Sequence, residues 1–221
     1  MFKTETHLHT SPVSRCGKLS AKEMLEAYKA EKYQTVFVTN HFAEYHWPKE
    51  LSYPEYVDYF FGGYDEAKAI GDEIGLTVLF AAELTLRGNH YLLYKTDKAF
   101  FLAIPDIFKM EIKDFYSYAK AHGVTVIQAH PFRDGNCYPT PEAADAIEVI
   151  NANPRHENFD EKCFALAKEH ALPMTAGSDA HQTVDIGLAA MISDTPIHSV
   201  DEYLSLLMDG KLRLMKNGEI L

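Results

Sequence analysis

Two histidines stand one residue apart near the start of the chain, at His7 and His9, where a short apolar run ends. If this run is a β-strand, residues i and i+2 point to the same face and lie roughly 6–7 Å apart along the chain. Two neutral imidazoles that converge on one point are a geometry typical of metal ligands. The pair therefore indicates a metal site, although two structural histidines on an edge strand would show the same spacing.

Metal-ligating side chains recur along the chain, each where a predicted strand ends. They are His41, Glu83, His130, Asp179 and His181, while His90 begins a strand one short connection after Glu83. In a barrel of alternating strands and helices, the carboxyl ends of the strands meet at one rim, where active sites lie. A His, Asp and Glu set without a Cys-x-x-Cys pair suits catalytic divalent ions such as zinc, manganese or iron.

The elements that must position these side chains alternate between strand and helix. Strands are predicted over residues 2–8, 35–39, 77–82, 90–94, 124–129, 146–150 and 173–176. Helical patterns lie between most of them, the longest over residues 55–74. This alternation implies parallel pairing with crossover connections.

We therefore predict an α/β fold, a distorted (β/α)7 TIM-like barrel, as one domain over residues 1–221. A doubly wound open sheet is the alternative. It is disfavoured because the sequence has no Gly-rich phosphate loop of the Rossmann or P-loop kind.

Composition narrows the classes of function. The formal net charge of −11 disfavours duplex nucleic acid as a partner, because affinity for duplexes comes from Lys and Arg that neutralise phosphates. A small phosphorylated substrate at a cationic metal site is compatible with this charge. The chain has no run long enough to span a bilayer and no apolar N-terminal signal, so we expect no membrane partner and a cytoplasmic protein. The sequence does not indicate an oligomeric state.

An ordered set of short motifs resembles the polymerase-and-histidinol-phosphatase (PHP) family of metal-dependent phosphoesterases. The matching pieces run to about residue 190 in the family's order: His7-Leu8-His9-Thr10, Cys16-Gly17, Val38-Thr39-Asn40-His41, Ala82-Glu83-Leu84, His90-Tyr91-Leu92-Leu93, Gln128-Ala129-His130-Pro131, Ile147-Glu148-Val149-Ile150-Asn151 and Gly177-Ser178-Asp179-Ala180-His181. The resemblance implies a distorted (β/α)7 barrel that binds up to three metal ions at its rim.

Carried onto this sequence, the resemblance implies two to three divalent ions and nine ligands. The ligands fall into three groups, of which the first two share Glu83: His7, His9, Glu83 and Asp179; Glu83, His130 and His90; His41, His181 and Cys16. Two residues depart from the family pattern. Cys16 stands where Asp or His is common, and Asn40 stands where Asp is common. A thiolate is a fair zinc ligand, but Cys16 could equally be a small packed residue, and Asn40 lacks the charge to orient a ligand as Asp would.

Four of the five arginines lie in the predicted rim loops: Arg15, Arg87, Arg133 and Arg155. Arginine suits bidentate contact with phosphate, so these side chains, together with Asn151, are the candidate substrate-binding residues. Arg133 is the strongest candidate because it follows His130-Pro131 directly. It would also stabilise charge on the phosphoryl group, while Asp179 or a rim histidine such as His181 would move protons. Ordinary surface salt bridging is the alternative for each arginine.

An aromatic segment follows the second strand and has two interpretations. Its rings are Phe42, Tyr45, Trp47, Tyr53, Tyr56 and Tyr59. They either wall a pocket for a flat leaving group or form a satellite core or dimer contact, and the second interpretation is favoured.

The sequence thus predicts a metal-dependent hydrolase that cleaves phosphomonoesters of small metabolites, such as a sugar phosphate, a nucleotide or a histidinol-phosphate-like compound. The alternatives on the same site are a phosphodiesterase or exonuclease and a phosphotyrosine phosphatase. A non-catalytic regulatory metal-binding module is the alternative from another class. A related amidohydrolase is disfavoured, because no strand ends in a Lys that could bridge two metals.

Overall fold

The computed structural model describes all residues, Met1–Leu221, and contains twelve β-strands. In chain order they span Phe2–Leu8 (β1), Thr35–Val38 (β2), His41–Phe42 (β3), Thr77–Phe80 (β4), Ala82–Leu86 (β5), Asn89–Tyr94 (β6), Thr125–Ala129 (β7), Ala146–Asn151 (β8), Met174–Gly177 (β9), Ala189–Ser193 (β10), Arg213–Lys216 (β11) and Glu219–Ile220 (β12). Each predicted strand is present within a few residues of its predicted bounds.

Six α-helices connect these strands. They span Ala21–Ala30 (α1), Tyr53–Ile74 (α2), Lys98–Leu102 (α3), Ile112–Ala121 (α4), Asp160–Glu169 (α5) and Val200–Met208 (α6). None of them is both long enough and apolar enough to cross a bilayer.

The strands form two six-stranded sheets. The first has the order β12-β11-β10-β1-β2-β4, and the second has the order β3-β5-β6-β7-β8-β9. The sheets adjoin because the chain passes directly from β2 into β3 and from β4 into β5. A parallel bridge between Leu8 and Ala180 links them a second time.

This architecture confirms the predicted mixed α/β class. The hydrogen-bonded ladders do not close into a single ring, so the predicted (β/α)7 barrel is not confirmed. The side chains that were predicted to meet at one rim do lie close together. They do so because β1, β7, β8 and β9 end near one another and polar residues follow these strands.

Local sequence signals explain the helix bounds. Ser20 and Glu23 form a reciprocal capping box at the start of α1, and Gly75, with a φ of 68°, ends α2 in the left-handed region. The helix α2 is continuous through the Gly62-Gly63 pair. A Cβ atom at Gly63 would lie 2.4 Å from Cγ2 of Val13, so glycine here lets the loop after β1 pack against α2.

The C-terminal end of the chain adds two strands to the first sheet. β11 and β12 form a hairpin, and β11 pairs antiparallel with β10. Asn217 and Gly218 both adopt positive φ values at its turn, and Asn-Gly is a strong hairpin signal.

Candidate metal centre

Glu83 lies at the centre of a buried cluster of predicted ligands. Its side chain is 1% exposed, and it stands in β5, where it pairs with His41 of β3. Its two oxygens together face five imidazoles. Oε1 lies 3.3 Å from His7 Nε2, 3.1 Å from His90 Nδ1 and 3.3 Å from His130 Nε2, and Oε2 lies 3.4 Å from His9 Nε2 and 2.6 Å from His41 Nδ1. This carboxylate therefore has the position that a shared ligand would need.

His7 and His9 point to one face of the chain, as their spacing predicts, and both side chains are fully buried. Oδ1 of Asp179, which follows β9, lies 3.4 Å from Nε2 of His7 and 3.1 Å from Nε2 of His9. These three residues and Glu83 converge as the first predicted ligand group.

Four buried atoms in this cluster make no hydrogen bond of acceptable geometry, although two of them, Nδ1 of His41 and Oε2 of Glu83, lie 2.6 Å apart. They are Nε2 of His7, Nε2 of His9, Nδ1 of His41 and Oε2 of Glu83. An unpaired buried polar atom costs about 1–3 kcal/mol in free energy, so four together are unusual in a packed interior. The donor set of imidazole nitrogens and carboxylate oxygens fits divalent metal ions, which would supply the missing partners.

Glu148 orients His7 and was not identified from the sequence. This fully buried carboxylate in β8 accepts a hydrogen bond from Nδ1 of His7 at 2.8 Å. A metal-ligating imidazole commonly donates its other N–H to a carboxylate in this way, which directs Nε2 to the metal. Gly177 makes room for the pair, since a Cβ atom there would lie 2.5 Å from Cβ of His7 and 2.8 Å from Oε1 of Glu148.

Asn40 and Ser14 do for His9 what Glu148 does for His7. The hydroxyl of Ser14 donates to Oδ1 of Asn40 at 2.9 Å, and Nδ1 of His9 lies 3.3 Å from the same hydroxyl oxygen. Because the serine proton goes to Asn40, the serine oxygen is left to accept from Nδ1–H of His9. An uncharged amide therefore fixes the tautomer that leaves Nε2 of His9 free to bind a metal.

We predict that Ser14→Ala lowers the affinity of the centre for its divalent ions by about 10–100-fold, the usual effect of losing a group that orients a ligand. Competition with a metallochromic chelator measures this change. Ser11→Ala in the same loop is the matched control, since its hydroxyl makes no hydrogen bond. Equal affinity in the two variants would contradict the role of Ser14.

The third predicted group also converges, with one histidine that the sequence did not assign. Ligand atoms of His9, His41 and His181 lie within 4.8 Å of one another, and so do those of Cys16, His41 and His46. His46 stacks on His41 with ring centroids 4.8 Å apart. Burial acts to raise the pKa of the Cys16 thiol, but hydrogen bonds with His181, His41 and His46 outweigh it and lower that pKa to about 4. Cys16 is thus a thiolate, the form that binds metal.

The protonation of the inner residues also suits a cation. Burial opposes ionisation of Glu83 and Asp179, yet nearby positive groups hold the pKa of each carboxyl well below its usual range, chiefly His41 for Glu83 and Arg133 for Asp179. Burial itself holds the pKa of His9 and His130 well below the usual value. Burial opposes protonation of His7 and His41 as well, but nearby carboxylates, chiefly Glu148 for His7 and Glu83 for His41, raise the pKa of both. The centre therefore contains ionised carboxylates, and its protonated imidazoles would release their protons when a cation binds.

Arg133 and Asn151 reach this centre. Nη2 of Arg133 donates to Oδ1 of Asn151 at 2.7 Å and to Oδ2 of Asp179 at 2.5 Å, and Nε donates to Oδ1 of Asn158 at 3.0 Å. The third nitrogen, Nη1, makes no hydrogen bond within the protein, and the Arg133 side chain is 14% exposed. Arg133 thus has one guanidinium nitrogen left for a ligand.

The other three predicted arginines are placed differently. Arg87 is turned away from the centre, because its guanidinium binds the carbonyl oxygens of Lys109 and Met110 and the carboxylate of Glu111. The structure therefore does not support Arg87 as a substrate-binding residue. Arg155 lies near the centre but forms a bidentate pair with buried Asp185. Arg15 is exposed beside Cys16.

Glu5 is a second buried carboxyl that the sequence analysis missed. Its side chain accepts hydrogen bonds from the backbone N–H groups of Thr6, His7 and Ser178 and from the hydroxyl of Tyr28. It thereby ties β1 to the segment after β9. Burial is the largest influence on this carboxyl and raises its pKa from 4.5 to about 7, although these hydrogen bonds oppose the shift.

The raised pKa of Glu5 predicts a pH-dependent stability. The folded state holds the proton more tightly than the unfolded chain, so the stability contributed by this group is complete below pH 4.5 and is lost as the pH rises to about 7. The loss is of the order of 3 kcal/mol. We expect Glu5→Gln to remove it, so that the difference in free energy of unfolding between variant and wild type moves in favour of the variant from about pH 5 to about pH 8. Urea unfolding at equal metal content measures this difference, and a difference that does not change with pH would contradict the prediction.

Known proteins resemble this chain in a short segment of sequence and in fold. Residues 160–212 match a family model described as PHP-associated. No curated protein matches the sequence.

Three solved structures share the fold at low identity. PsfC from Pseudomonas syringae is 19% identical with a TM-score of 0.64, and the match covers 92% of this chain and 88% of PsfC. A two-domain protein from Bacteroides vulgatus that contains a predicted PHP-like metal-dependent phosphoesterase is 15% identical with a TM-score of 0.71, covering 99% of this chain and 66% of that one. The lesion-specific endonuclease EndoQ from Pyrococcus furiosus is 12% identical with a TM-score of 0.66, covering 97% of this chain and 57% of the endonuclease.

The resemblance to the PHP family is therefore confirmed, by a PHP-like fold across the chain and by a PHP-associated segment in its C-terminal part.

Proposed function

We propose that this protein is a metal-dependent phosphatase that hydrolyses phosphomonoesters of small metabolites. The observation that carries the proposal is the set of nine converging ligands with four buried, unpartnered donor atoms around Glu83. Such an arrangement is costly to fold unless the site binds cations. The similarity in fold to a protein that contains a predicted PHP-like metal-dependent phosphoesterase supports metal-dependent hydrolysis of phosphate esters.

Three ion positions account for the donors. His7, His9 and Asp179 would hold the first, His90 and His130 would hold the second, and Glu83 would serve both. Cys16, His41 and His181 would hold the third, with His46 as a further ligand. Each of these residues belongs to a cluster whose ligand atoms lie within 4.8 Å of one another. We propose that two to three divalent ions bind here, drawn from zinc, manganese and iron, since imidazole, carboxylate and thiolate suit these metals.

Bound divalent ions would clamp phosphoryl oxygens and lower the pKa of a coordinated water towards neutrality. The chain's own groups then orient and stabilise the ester. Nη1 of Arg133 is placed to bind a phosphoryl oxygen, because Asn151, Asn158 and Asp179 hold the rest of the guanidinium. A donor fixed in advance stabilises developing charge without reorganisation.

Two residues are candidate proton carriers, and their contacts separate them. Asp179 is held ionised, with Oδ1 against His7 and His9 and Oδ2 against Arg133, which favours a role as ligand. His181 donates from Nδ1 to the carbonyl oxygen of Asp179 at 2.8 Å, so its Nε2 is available to hold an ion or carry a proton. We propose that His181 carries the proton when two ions are bound and its Nε2 does not hold the third.

The endonuclease among the structural relatives keeps hydrolysis of a phosphodiester as the second candidate. The net charge of −11 disfavours it, because a duplex or long strand would be repelled by most of the surface. A non-catalytic metal-binding module is disfavoured by the free nitrogen of Arg133 beside the ion positions, which a purely structural metal site would not need.

A matched substrate panel tests the proposal. The metal-loaded protein is offered phosphomonoesters of sugars, nucleosides and amino alcohols, each alongside its methyl diester, and release of inorganic phosphate or alcohol is measured. We expect hydrolysis of monoesters with little turnover of the diesters. Faster hydrolysis of the diesters would replace phosphatase by phosphodiesterase, and no turnover of any ester would favour a regulatory module.

A further inference from the structure

Tyr45 and Tyr138 are the only aromatic side chains with a large exposed surface, at 58% and 45% exposed. The other rings of the aromatic segment pack inward, since Phe42, Tyr53 and Tyr56 belong to an apolar cluster that Trp47 covers. The satellite-core interpretation therefore holds for those rings and fails for Tyr45. Exposed rings beside a polar centre are candidates for contact with a ligand.

Both tyrosines are anchored to the same hairpin, formed by β5 and β6. The hydroxyl of Tyr45 lies 3.2 Å from that of Thr85, and the hydroxyl of Tyr138 donates to the carbonyl oxygen of Arg87 at 3.3 Å. The backbone N–H of Tyr138 also donates to Oδ1 of Asn89 at 2.9 Å. Rings tethered at their far ends lose little freedom when a ligand packs on them.

The anchoring points lie next to the metal centre. Thr85 follows Glu83 by two residues and so points to the same face of β5, and it pairs across the hairpin with His90. The ring of Tyr45 lies 4.7 Å from that of His46, which stacks on His41. On the other side, Sγ of Cys137 lies 4.0 Å from Nδ1 of His130. The two phenol rings thus stand at the edge of the second and third ion positions.

Aromatic surface forms the most exposed part of this edge. The groups that anchor or adjoin the rings are a threonine and a thiol, the guanidinium of Arg87 is occupied by Lys109, Met110 and Glu111, and Arg15 and Cys16 lie beside His46. A flat ring would use the faces of the phenols, which stack favourably with aromatic groups.

We propose that Tyr45 and Tyr138 bind an aromatic ring in the leaving group of the phosphomonoester. This inference rests on the proposed phosphatase activity and narrows its substrates to esters of aryl alcohols or nucleosides. The shared chemistry is a planar π system one ester linkage away from the phosphoryl group.

Two inhibitors of equal charge type test the inference without turnover. Phenylphosphonate and cyclohexylphosphonate both carry a six-carbon ring, but only the first has a π face. Their dissociation constants for the metal-loaded protein are measured by calorimetry. The quantity compared is the ratio of the two dissociation constants in each variant relative to the wild type. This comparison cancels the difference in acidity between the two phosphonates.

We expect Tyr45→Leu to reduce the preference for phenylphosphonate by about threefold to tenfold, the size of an aromatic stacking preference. Tyr138→Leu is expected to act in the same direction, and Tyr45→Phe is expected to keep the preference because it keeps the ring. Tyr64→Leu, on the buried side of α2 against Phe80, is the matched control and should leave the ratio unchanged. A ratio that is unchanged in both Tyr45→Leu and Tyr138→Leu overturns the inference, while failure of both phosphonates to bind overturns the proposed function instead.

Steady-state kinetics show whether the bound ring is a nucleobase or a phenol. If Tyr45→Leu raises KM for adenosine 5′-monophosphate alone, the ring is a nucleobase, and if it raises KM for O-phosphotyrosine alone, the ring is a phenol. Unchanged KM values for both substrates contradict the inference.

Discussion

Replacing Glu83 by Gln is expected to lower the rate of phosphate release by about 10³-fold, because shared metal ions contribute several kcal/mol of transition-state stabilisation. Glutamine has nearly the same shape, so the packing around β5 is preserved while the charge that faces five imidazoles is lost. The bound metal per chain should fall together with the activity. Metal analysis and phosphate release on the same sample measure both.

The matched control for this variant is Glu66→Gln, an exposed carboxylate on α2. It changes the net charge by the same amount and should leave the metal content and the rate unaltered. If Glu83→Gln kept its full metal content and its activity, Glu83 would not be the shared ligand, and the assignment of the ion positions would fail.

Replacing Arg133 by Ala is expected to raise KM by about 10–100-fold, because a charge-assisted hydrogen bond to phosphate contributes roughly 1.5–3 kcal/mol. Metal affinity should fall less, since Asn151 still donates to Oδ2 of Asp179 at 3.3 Å. Lysine cannot reproduce the planar fork that contacts three partners, so Arg133→Lys should lie between the wild type and Arg133→Ala.

Steady-state kinetics on one good phosphomonoester measure this split between KM and kcat. Arg213→Ala is the matched control, because this exposed arginine makes a surface ion pair with Asp194. An unchanged KM in Arg133→Ala would remove Arg133 from the substrate site and leave it as a support for Asp179 alone.

The sequence was sufficient to predict which side chains would meet. The i, i+2 spacing of His7 and His9 fixes a common face, and residues at the carboxyl ends of adjacent parallel strands reach one edge whether or not the sheet closes into a barrel. This is why the ligand set converges although the strands form two sheets instead of a closed barrel. Glu83 differs in detail, since it lies within β5 and its neighbour His90 lies on the paired strand.

The missed residues show what spacing alone does not reveal. Glu5 stands between two threonines of β1, and Glu148 stands between Ile147 and Val149 of β8, so each carboxylate interrupts a β-branched run, which signals a buried partner. His46 reaches the centre from a short 3₁₀ helix, and the local sequence does not indicate the direction in which its side chain points. Arg87 follows Thr85, which lies on the same face of β5 as Glu83, by two residues. Its φ of 53° and its hydrogen bonds to the carbonyl oxygens of Lys109 and Met110 nevertheless turn its side chain away from the centre. Such orientations depend on tertiary contacts that no local pattern contains.

The most direct test of the central claim is to measure metal content and phosphate release on one preparation, before and after chelation and after reloading. The account predicts two to three divalent ions per chain, loss of activity as they are removed, and recovery on reloading with zinc, manganese or iron. A protein that binds no divalent metal, and that releases no phosphate from any monoester after reloading, would contradict it.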